Sequence, residues 1–140
     1  MKPFVASLKS QDVYRISSGD TNRFIILHRR SGKEGSYIQC LEIFDPYGQT
    51  PPNVHHHAIE QFFVLHGHGE ALAGNESISL SPGDTLVVPP GISHIIRNAE
   101  AEELYVLTTM IPDEGFSELI LSGIRDELKA KDFSNLSISL

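Results

Sequence analysis

Residues 83–98 read GDTLVVPPGISHIIRN and contain two short apolar segments separated by a stiff turn. The segments, Thr85 to Val88 and His94 to Arg97, have strand lengths and are rich in branched apolar residues, which suit a half-buried pleated surface. Between them, Pro89-Pro90-Gly91 restricts the backbone, because proline fixes φ and glycine permits a tight bend. This stretch therefore predicts that His94 is presented at the start of a strand with little conformational entropy left to lose.

Further segments of the same kind lie on both sides of this stretch and are separated by clusters of turn residues. They are Arg23 to Arg29, Ser36 to Phe44, Gln61 to Leu65, Glu70 to Ala73, Ser77 to Leu80 and Leu104 to Met110. Strands of this length at short, regular intervals, without intervening helices, are typical of an antiparallel sandwich or barrel. The sequence therefore predicts an all-β fold with a barrel over about residues 22–111.

The pattern changes after Asp113, where apolar residues follow helical spacing. These residues are Phe116, Leu119, Ile120, Ile124 and Leu128. A 3.6-residue period after a Pro-Asp-Glu sequence predicts one C-terminal amphipathic helix over about residues 113–131. At 140 residues the chain fits a single domain over residues 1–140.

Charge and composition argue against several classes of partner. The chain has 11 basic and 18 acidic residues, so its net charge is −7, and no basic stripe is present. Such a balance repels phosphate backbones, so we expect no nucleic-acid partner. The N-terminus lacks the apolar core of a secretory signal, and no apolar run approaches the roughly 18 residues of a membrane helix. We therefore expect a cytoplasmic protein without a membrane partner, in which the single cysteine, Cys40, is a buried side chain.

The residues that indicate chemistry are three consecutive histidines, His55 to His57, followed by Glu60 and, later, His94. Neutral imidazoles with a nearby carboxylate are good ligands for divalent transition metals. In an extended chain His55 and His57 point to one face and His56 to the other, since side chains alternate. The sequence therefore predicts a metal site formed by His55, Glu60, His94 and one further side chain, with His57 favoured.

Two groups of these residues resemble the conserved motifs of the cupin superfamily. The second motif is matched in full by Gly83, Pro89, Gly91, His94 and Asn98. In the first motif, Gly48, Glu60 and Gly67 occupy suitable positions. The histidines of the first motif depart from the family pattern, which places His-x-His three or four residues before the glutamate.

That departure leaves the fourth ligand open. A four-residue gap before Glu60 places Asn53 and His55 in the two histidine positions, whereas a three-residue gap places Val54 and His56 there. Only a two-residue gap yields His55 and His57. His57, His56 and Asn53 therefore remain alternatives, while His55 is a ligand in two of the three registers.

The resemblance to small single-domain cupins implies a double-stranded β-helix, or jelly-roll barrel, that forms a homodimer and holds a metal or ligand at the barrel mouth. A mixed nitrogen and oxygen ligand set favours Mn, Fe or Ni and also accepts Zn. We expect Phe62, Val64, Ile96 and Leu107 to form apolar pocket walls.

The leading functional hypothesis is a metal-dependent cupin enzyme that acts on a small organic substrate, as an oxygenase, isomerase, decarboxylase or lyase. A non-catalytic module that binds or senses a small ligand is the alternative. A metal-free cupin of the sugar-nucleotide epimerase type is less favoured, because no basic cluster offers a phosphate site.

Overall fold

The computed structural model describes residues 2–32 and 35–139, and most of its regular structure is β-strand. The strands are β1 (Val13–Arg15), β2 (Asn22–Arg30), β3 (Tyr37–Phe44), β4 (Ile59–His66), β5 (Gly69–Ala73), β6 (Glu76–Leu80), β7 (Thr85–Val88), β8 (His94–Asn98), β9 (Leu104–Ile111) and β10 (Ile124–Asp126). The helices are α1 (Phe116–Leu121) and α2 (Ala130–Leu136), and a 3-10 helix covers Leu8–Ser10. Every strand predicted from the sequence is present, with its ends shifted by no more than about two residues.

The strands form two antiparallel sheets. The larger sheet has the order β10-β1-β2-β3-β9-β4-β7, and the smaller has the order β6-β5-β8. Isolated backbone pairings join Gln49 to Arg97 and Asn53 to His94, so the segment before β4 runs beside β8. Two facing antiparallel sheets confirm the predicted double-stranded β-helix.

The space between the sheets is filled by alternate residues of the strands. In β4, Phe62 and Val64 are buried while Phe63 and Leu65 are exposed. The inward residues pack with Ala71 and Ile96 of the smaller sheet in one apolar cluster. Glu60 lies on the same inward face of β4, because it is two residues before Phe62. The alternation that forms the core therefore also directs a carboxylate into the barrel.

Among the described residues, the outer face of the larger sheet is covered by apolar side chains at one end. There, Leu128 and Leu136 pack against Leu41, Ile43 and Tyr105. At the other end, β4, β7 and β9 leave apolar side chains exposed. This open apolar face consists of Ile59, Phe63, Leu65, Val87 and Ile111.

A short C-terminal helix is present, as predicted, but one continuous helix over residues 113–131 does not form, because α1 ends at Leu121 and the strand β10 separates it from α2. Gly123 explains the break, since a Cβ at this position would lie 2.1 Å from the backbone oxygen of Arg15. This close approach brings the chain to the sheet edge, where β10 pairs with β1. Neither helix in the described part of the chain is long and apolar enough to cross a membrane.

Candidate metal centre and pocket

Three of the four predicted ligands converge inside the barrel mouth. The Oε1 atom of Glu60 lies 3.1 Å from Nε2 of His55 and 2.9 Å from Nε2 of His94. The three ligand atoms lie within 4.8 Å of one another. Glu60 and His94 are buried, while the side chain of His55 is 18% exposed. The cluster is therefore formed by the barrel interior and remains open to solvent on the His55 side.

Backbone hydrogen bonds place the two histidines beside each other. Asn53 and His94 exchange N–H···O bonds of 3.0 and 2.8 Å. The N–H of Gly91 donates to the carbonyl oxygen of His55 at 2.7 Å. The stiff turn that precedes His94 is therefore fastened to the segment that carries His55, and both meet Glu60 on the inward face of β4.

The tautomer of His94 favours a cation at this cluster. Its Nδ1 lies 3.0 Å from the carbonyl oxygen of Ile92. A carbonyl oxygen only accepts, so Nδ1 carries a proton. In a neutral ring, Nε2 then presents a lone pair to the carboxylate of Glu60. Those two acceptors are compatible only when a proton or a metal ion lies between them.

The electrostatics of the metal-free cluster agree with that geometry. Burial alone would raise the pKa of Glu60, but the hydrogen bonds and charges of His55 and His94 outweigh it and hold this pKa below its ordinary value. Burial likewise disfavours the charged form of His94, but its contacts with Glu60 and the Ile92 carbonyl raise its pKa. Both shifts favour a positive charge on the imidazole beside a negative charge on the carboxylate, and a bound metal ion would supply that positive charge instead.

The spacing of the ligand atoms also fits a metal ion. Metal–ligand distances of about 2.1 Å at right angles place neighbouring ligand atoms about 3 Å apart. Both contacts of Glu60 Oε1, at 3.1 and 2.9 Å, have this length. A mixed nitrogen and oxygen donor set suits a divalent transition metal. The residues present therefore fit the metal that the sequence predicts.

The structure does not bring the favoured fourth ligand, His57, to this cluster. The side chain of His57 is exposed, as is that of His56, and neither lines the pocket. Asn53 does line the pocket, with its backbone bonded to His94. Strand alternation does not apply here, because the chain bends at residues 56 and 57 before β4 begins.

A residue not identified from the sequence, Glu114, explains the shape of this bend. Its Oε1 accepts backbone N–H bonds from His57 at 2.5 Å and from Ala58 at 2.9 Å. Its Oε2 lies 4.0 Å from Nδ1 of His55. Glu114 has a φ of 51°, which is uncommon for a residue with a side chain. Glu114 lies just after β9, has a strained backbone conformation, and holds the segment from His55 to Ala58 in place through these contacts.

The cluster lies at the wall of a pocket of about 430 Å³. Of the predicted apolar walls, Phe62 and Ile96 line this pocket. Val64 lies deeper, in the apolar cluster between the sheets. Leu107 is paired with Phe63 and shares its outward orientation, so its prediction as a wall is wrong. Other apolar contacts come from Phe24, Met110 and Phe116.

Two further polar residues of the pocket, Asn22 and Glu42, were not identified by the sequence analysis. Glu42 is 2% exposed, and burial, followed by the nearby charge of Glu60, raises its pKa to about 8. Thr108 donates a hydrogen bond of 3.1 Å to its Oε1. The signal in the sequence was the position of Glu42 between Leu41 and Ile43, as the one charged residue of β3.

The remaining histidines and the cysteine lie outside the cluster. His28 on β2 is hydrogen-bonded to the hydroxyl group of Tyr37 on β3, and His68 is exposed near Glu100. Cys40 is fully buried, as predicted, and burial raises its pKa well above the ordinary value.

Comparison with known proteins identifies the fold family. Residues 40–110, just over half of the chain, match the family Cupin_2, described as a cupin domain. No curated protein sequence gives a significant match. KdgF from Halomonas sp. is 19% identical, with a TM-score of 0.65 over 79% of this chain and 94% of that one. A predicted oxalate decarboxylase from Thermotoga maritima is also 19% identical, with a TM-score of 0.65 over 78% of this chain and 99% of that one.

A third similar structure is that of Drosophila melanogaster CENP-C bound to CAL1. It is 15% identical, with a TM-score of 0.61 over 74% of this chain and 82% of that one. Identities this low show a common fold and leave the activity open. Together with the family match, the two-sheet architecture shows that this chain belongs to the cupin domain family.

Proposed function

We propose that this cupin domain binds one divalent metal ion through His55, Glu60 and His94 and acts as a metal-dependent enzyme on a small organic molecule. The convergence of three ligand atoms on one point, with the tautomer of His94 fixed by Ile92, carries this proposal. The ligand set suits Mn(II), Fe(II) or Ni(II), and Zn(II) is also accepted by such residues.

The metal, when bound, would polarise an oxygen atom of the substrate as a Lewis acid. The chain itself supplies the remaining functions. Glu60 compensates part of the metal's charge, while Phe24, Phe62 and Ile96 provide apolar contacts to the substrate. A pocket of about 430 Å³ has the size of a small-molecule site. Oxygenation, isomerisation, decarboxylation and lyase chemistry are all compatible with these functions.

Metal analysis of purified variants tests the ligand set. We expect near-stoichiometric metal in the wild type and in His57→Ala, and loss of metal in His55→Ala, Glu60→Gln and His94→Ala. His56→Ala serves as the matched control, because His56 is an exposed neighbour of His55. Retention of metal by His94→Ala would overturn the metal site. If His57→Ala lost its metal while His56→Ala kept it, His57 would be the fourth ligand.

A non-catalytic binding module is the second candidate. The similarity to CENP-C, a protein whose structure was solved in complex with CAL1, favours it because a cupin fold there has a protein partner. Measurement of substrate turnover distinguishes the metal-dependent enzyme from the binding module. An enzyme should convert at least one member of a panel of keto acids, phenols and sugars when loaded with metal. Tight binding without conversion across the panel would favour the binding module.

We also propose that two copies of the chain associate through the open apolar face. Its residues and the side chains between them, Gln61, Thr85 and Thr109, are uncharged. Two copies that each carry a net charge of −7 can therefore meet there without facing like charges. Residence in the cytoplasm stays a prediction.

A further inference from the structure

A group of three polar side chains adjoins the metal cluster within the larger sheet. Asn22, Glu42 and Thr108 extend from the neighbouring strands β2, β3 and β9, and all three are buried. Asn22 and Glu42 line the same pocket as His55, Glu60 and His94. Polar side chains are costly at such positions unless each is hydrogen-bonded.

The hydrogen bonds within this group leave one atom without a partner. Thr108 donates to Oε1 of Glu42 at 3.1 Å, and Nδ2 of Asn22 donates to Oε2 of Glu42 at 3.5 Å. The Oδ1 atom of Asn22 has no hydrogen-bond partner among the described residues, although Asn22 is only 1% exposed. Turning the amide by 180° only exchanges the atoms and leaves Nδ2 unpartnered instead. In either orientation one polar atom of Asn22 is free for a ligand.

The charges around the pocket restrict the ligand further. No lysine or arginine lines it in the described residues. The carboxylates of Asp20 and Glu114 also line the pocket, where they accept backbone N–H bonds, and they disfavour a second anionic group on the ligand. A divalent ion held by the single carboxylate of Glu60 retains positive charge. An anionic oxygen of the ligand would therefore bind at the metal cluster, and a neutral group would bind at Asn22.

We propose that the pocket binds a small hydroxylated organic acid, with its acidic oxygen at the His55, Glu60 and His94 cluster and a hydroxyl group hydrogen-bonded to Asn22. This inference rests on the proposed metal site. A hydroxyl group suits both amide orientations, because it donates to Oδ1 and accepts from Nδ2.

Calorimetric titration of the Mn(II)-loaded protein tests this inference with matched acids. The probes are butyrate, 3-hydroxybutyrate, 4-hydroxybutyrate and 4-aminobutyrate. We expect one hydroxy acid to bind the wild type about tenfold more tightly than butyrate, since an unpaired buried polar atom penalises the analogue without a hydroxyl. Asn22→Leu should reduce that preference to less than about twofold. Asn75→Leu, in the exposed β5–β6 turn, should keep it.

Three results would overturn the hydroxyl site: no preference for a hydroxy acid in the wild type, an unchanged preference in Asn22→Leu, or a stronger preference for 4-aminobutyrate. Asn22→Ala provides a second variant if the leucine is not accommodated. The Mn(II) content of each variant is measured in parallel, so failure of the metal site is seen separately. If Mn(II) does not bind, the side-chain amide signals of Asn22 in metal-free protein should still shift with a hydroxy acid and not with butyrate. Equal shifts would reject the site.

Discussion

Arg23 of β2 and Asp132 of α2 form an ion pair in which both side chains are buried. Two contacts of 2.6 and 3.0 Å join the guanidinium and the carboxylate. The same carboxylate accepts a hydrogen bond of 2.7 Å from the hydroxyl of Tyr105. These bonds fasten the C-terminal helix to the outer face of the larger sheet.

Removing one partner of this pair should destabilise the protein strongly. In Asp132→Asn the charge of Arg23 stays buried without compensation, a change that costs about 3–5 kcal/mol. Denaturant unfolding measures this loss. Asp12→Asn breaks the exposed pair with Arg125 and should have little effect. Equal losses in the two variants would contradict a structural role of the buried pair.

Glu114 should affect metal affinity although it is not a ligand. Glu114→Ala removes the acceptor for the backbone N–H groups of His57 and Ala58, so the segment that carries His55 loses its anchor. Loss of such a supporting contact weakens metal binding by about 10- to 100-fold. Titration with Mn(II) measures the change, and Glu76→Ala, an exposed change on β6, is the control. Unaltered affinity in Glu114→Ala would show that the backbone bonds to Gly91 and His94 place the His55 segment without Glu114.

Glu42 should make the stability of the metal-free protein depend on pH. Its pKa of about 8 in the folded state exceeds the ordinary value of 4.5. Between these values the unfolded chain has released a proton that the folded protein keeps, so the contribution to stability falls as pH rises from about 4.5 to about 8. The groups around Glu42 are Asn22, Thr108, Asp20 and Glu60.

Glu42→Gln removes this titration. Relative to the variant, the wild type should lose free energy of unfolding on the order of a few kcal/mol between pH 5 and pH 8, measured in EDTA. Glu102→Gln, an exposed change, should follow the wild type. A difference between wild type and Glu42→Gln that is constant over this range would mean that Glu42 is ionised in the folded protein throughout.

The open apolar face should determine the oligomeric state. Phe63→Glu places a charge at the centre of this face, where Phe63 is 40% exposed, and should convert a dimer to a monomer. Sedimentation velocity measures the mass. Leu72→Glu on the smaller sheet changes a residue that is 41% exposed and should leave the dimer intact. A monomeric wild type, or a dimeric Phe63→Glu, would exclude this interface.

The sequence was sufficient to predict strands β2 to β9 and to place Glu60 and His94 among the candidate ligands, because these predictions rested on local rules. Strand lengths, turn residues and fixed motif spacing identified β2 to β9, Glu60 and His94. The prediction of His57 depended on an extended backbone, and a distant residue, Glu114, bends that segment instead. Asn22 and Glu42 meet only when β2 and β3 pair, so their joint role depends on tertiary structure. The break at Gly123 likewise depends on contact with Arg15.

The position of β9 in the larger sheet has a consequence for how the chain is made. This strand lies between β3 and β4, yet it is synthesised about 40 residues after β4. Until it emerges, β3 and β4 each present an unpaired edge that can join another chain. A nascent chain that stalls before residue 104 would therefore be prone to aggregation, and productive folding of the barrel must wait until translation has passed residue 111.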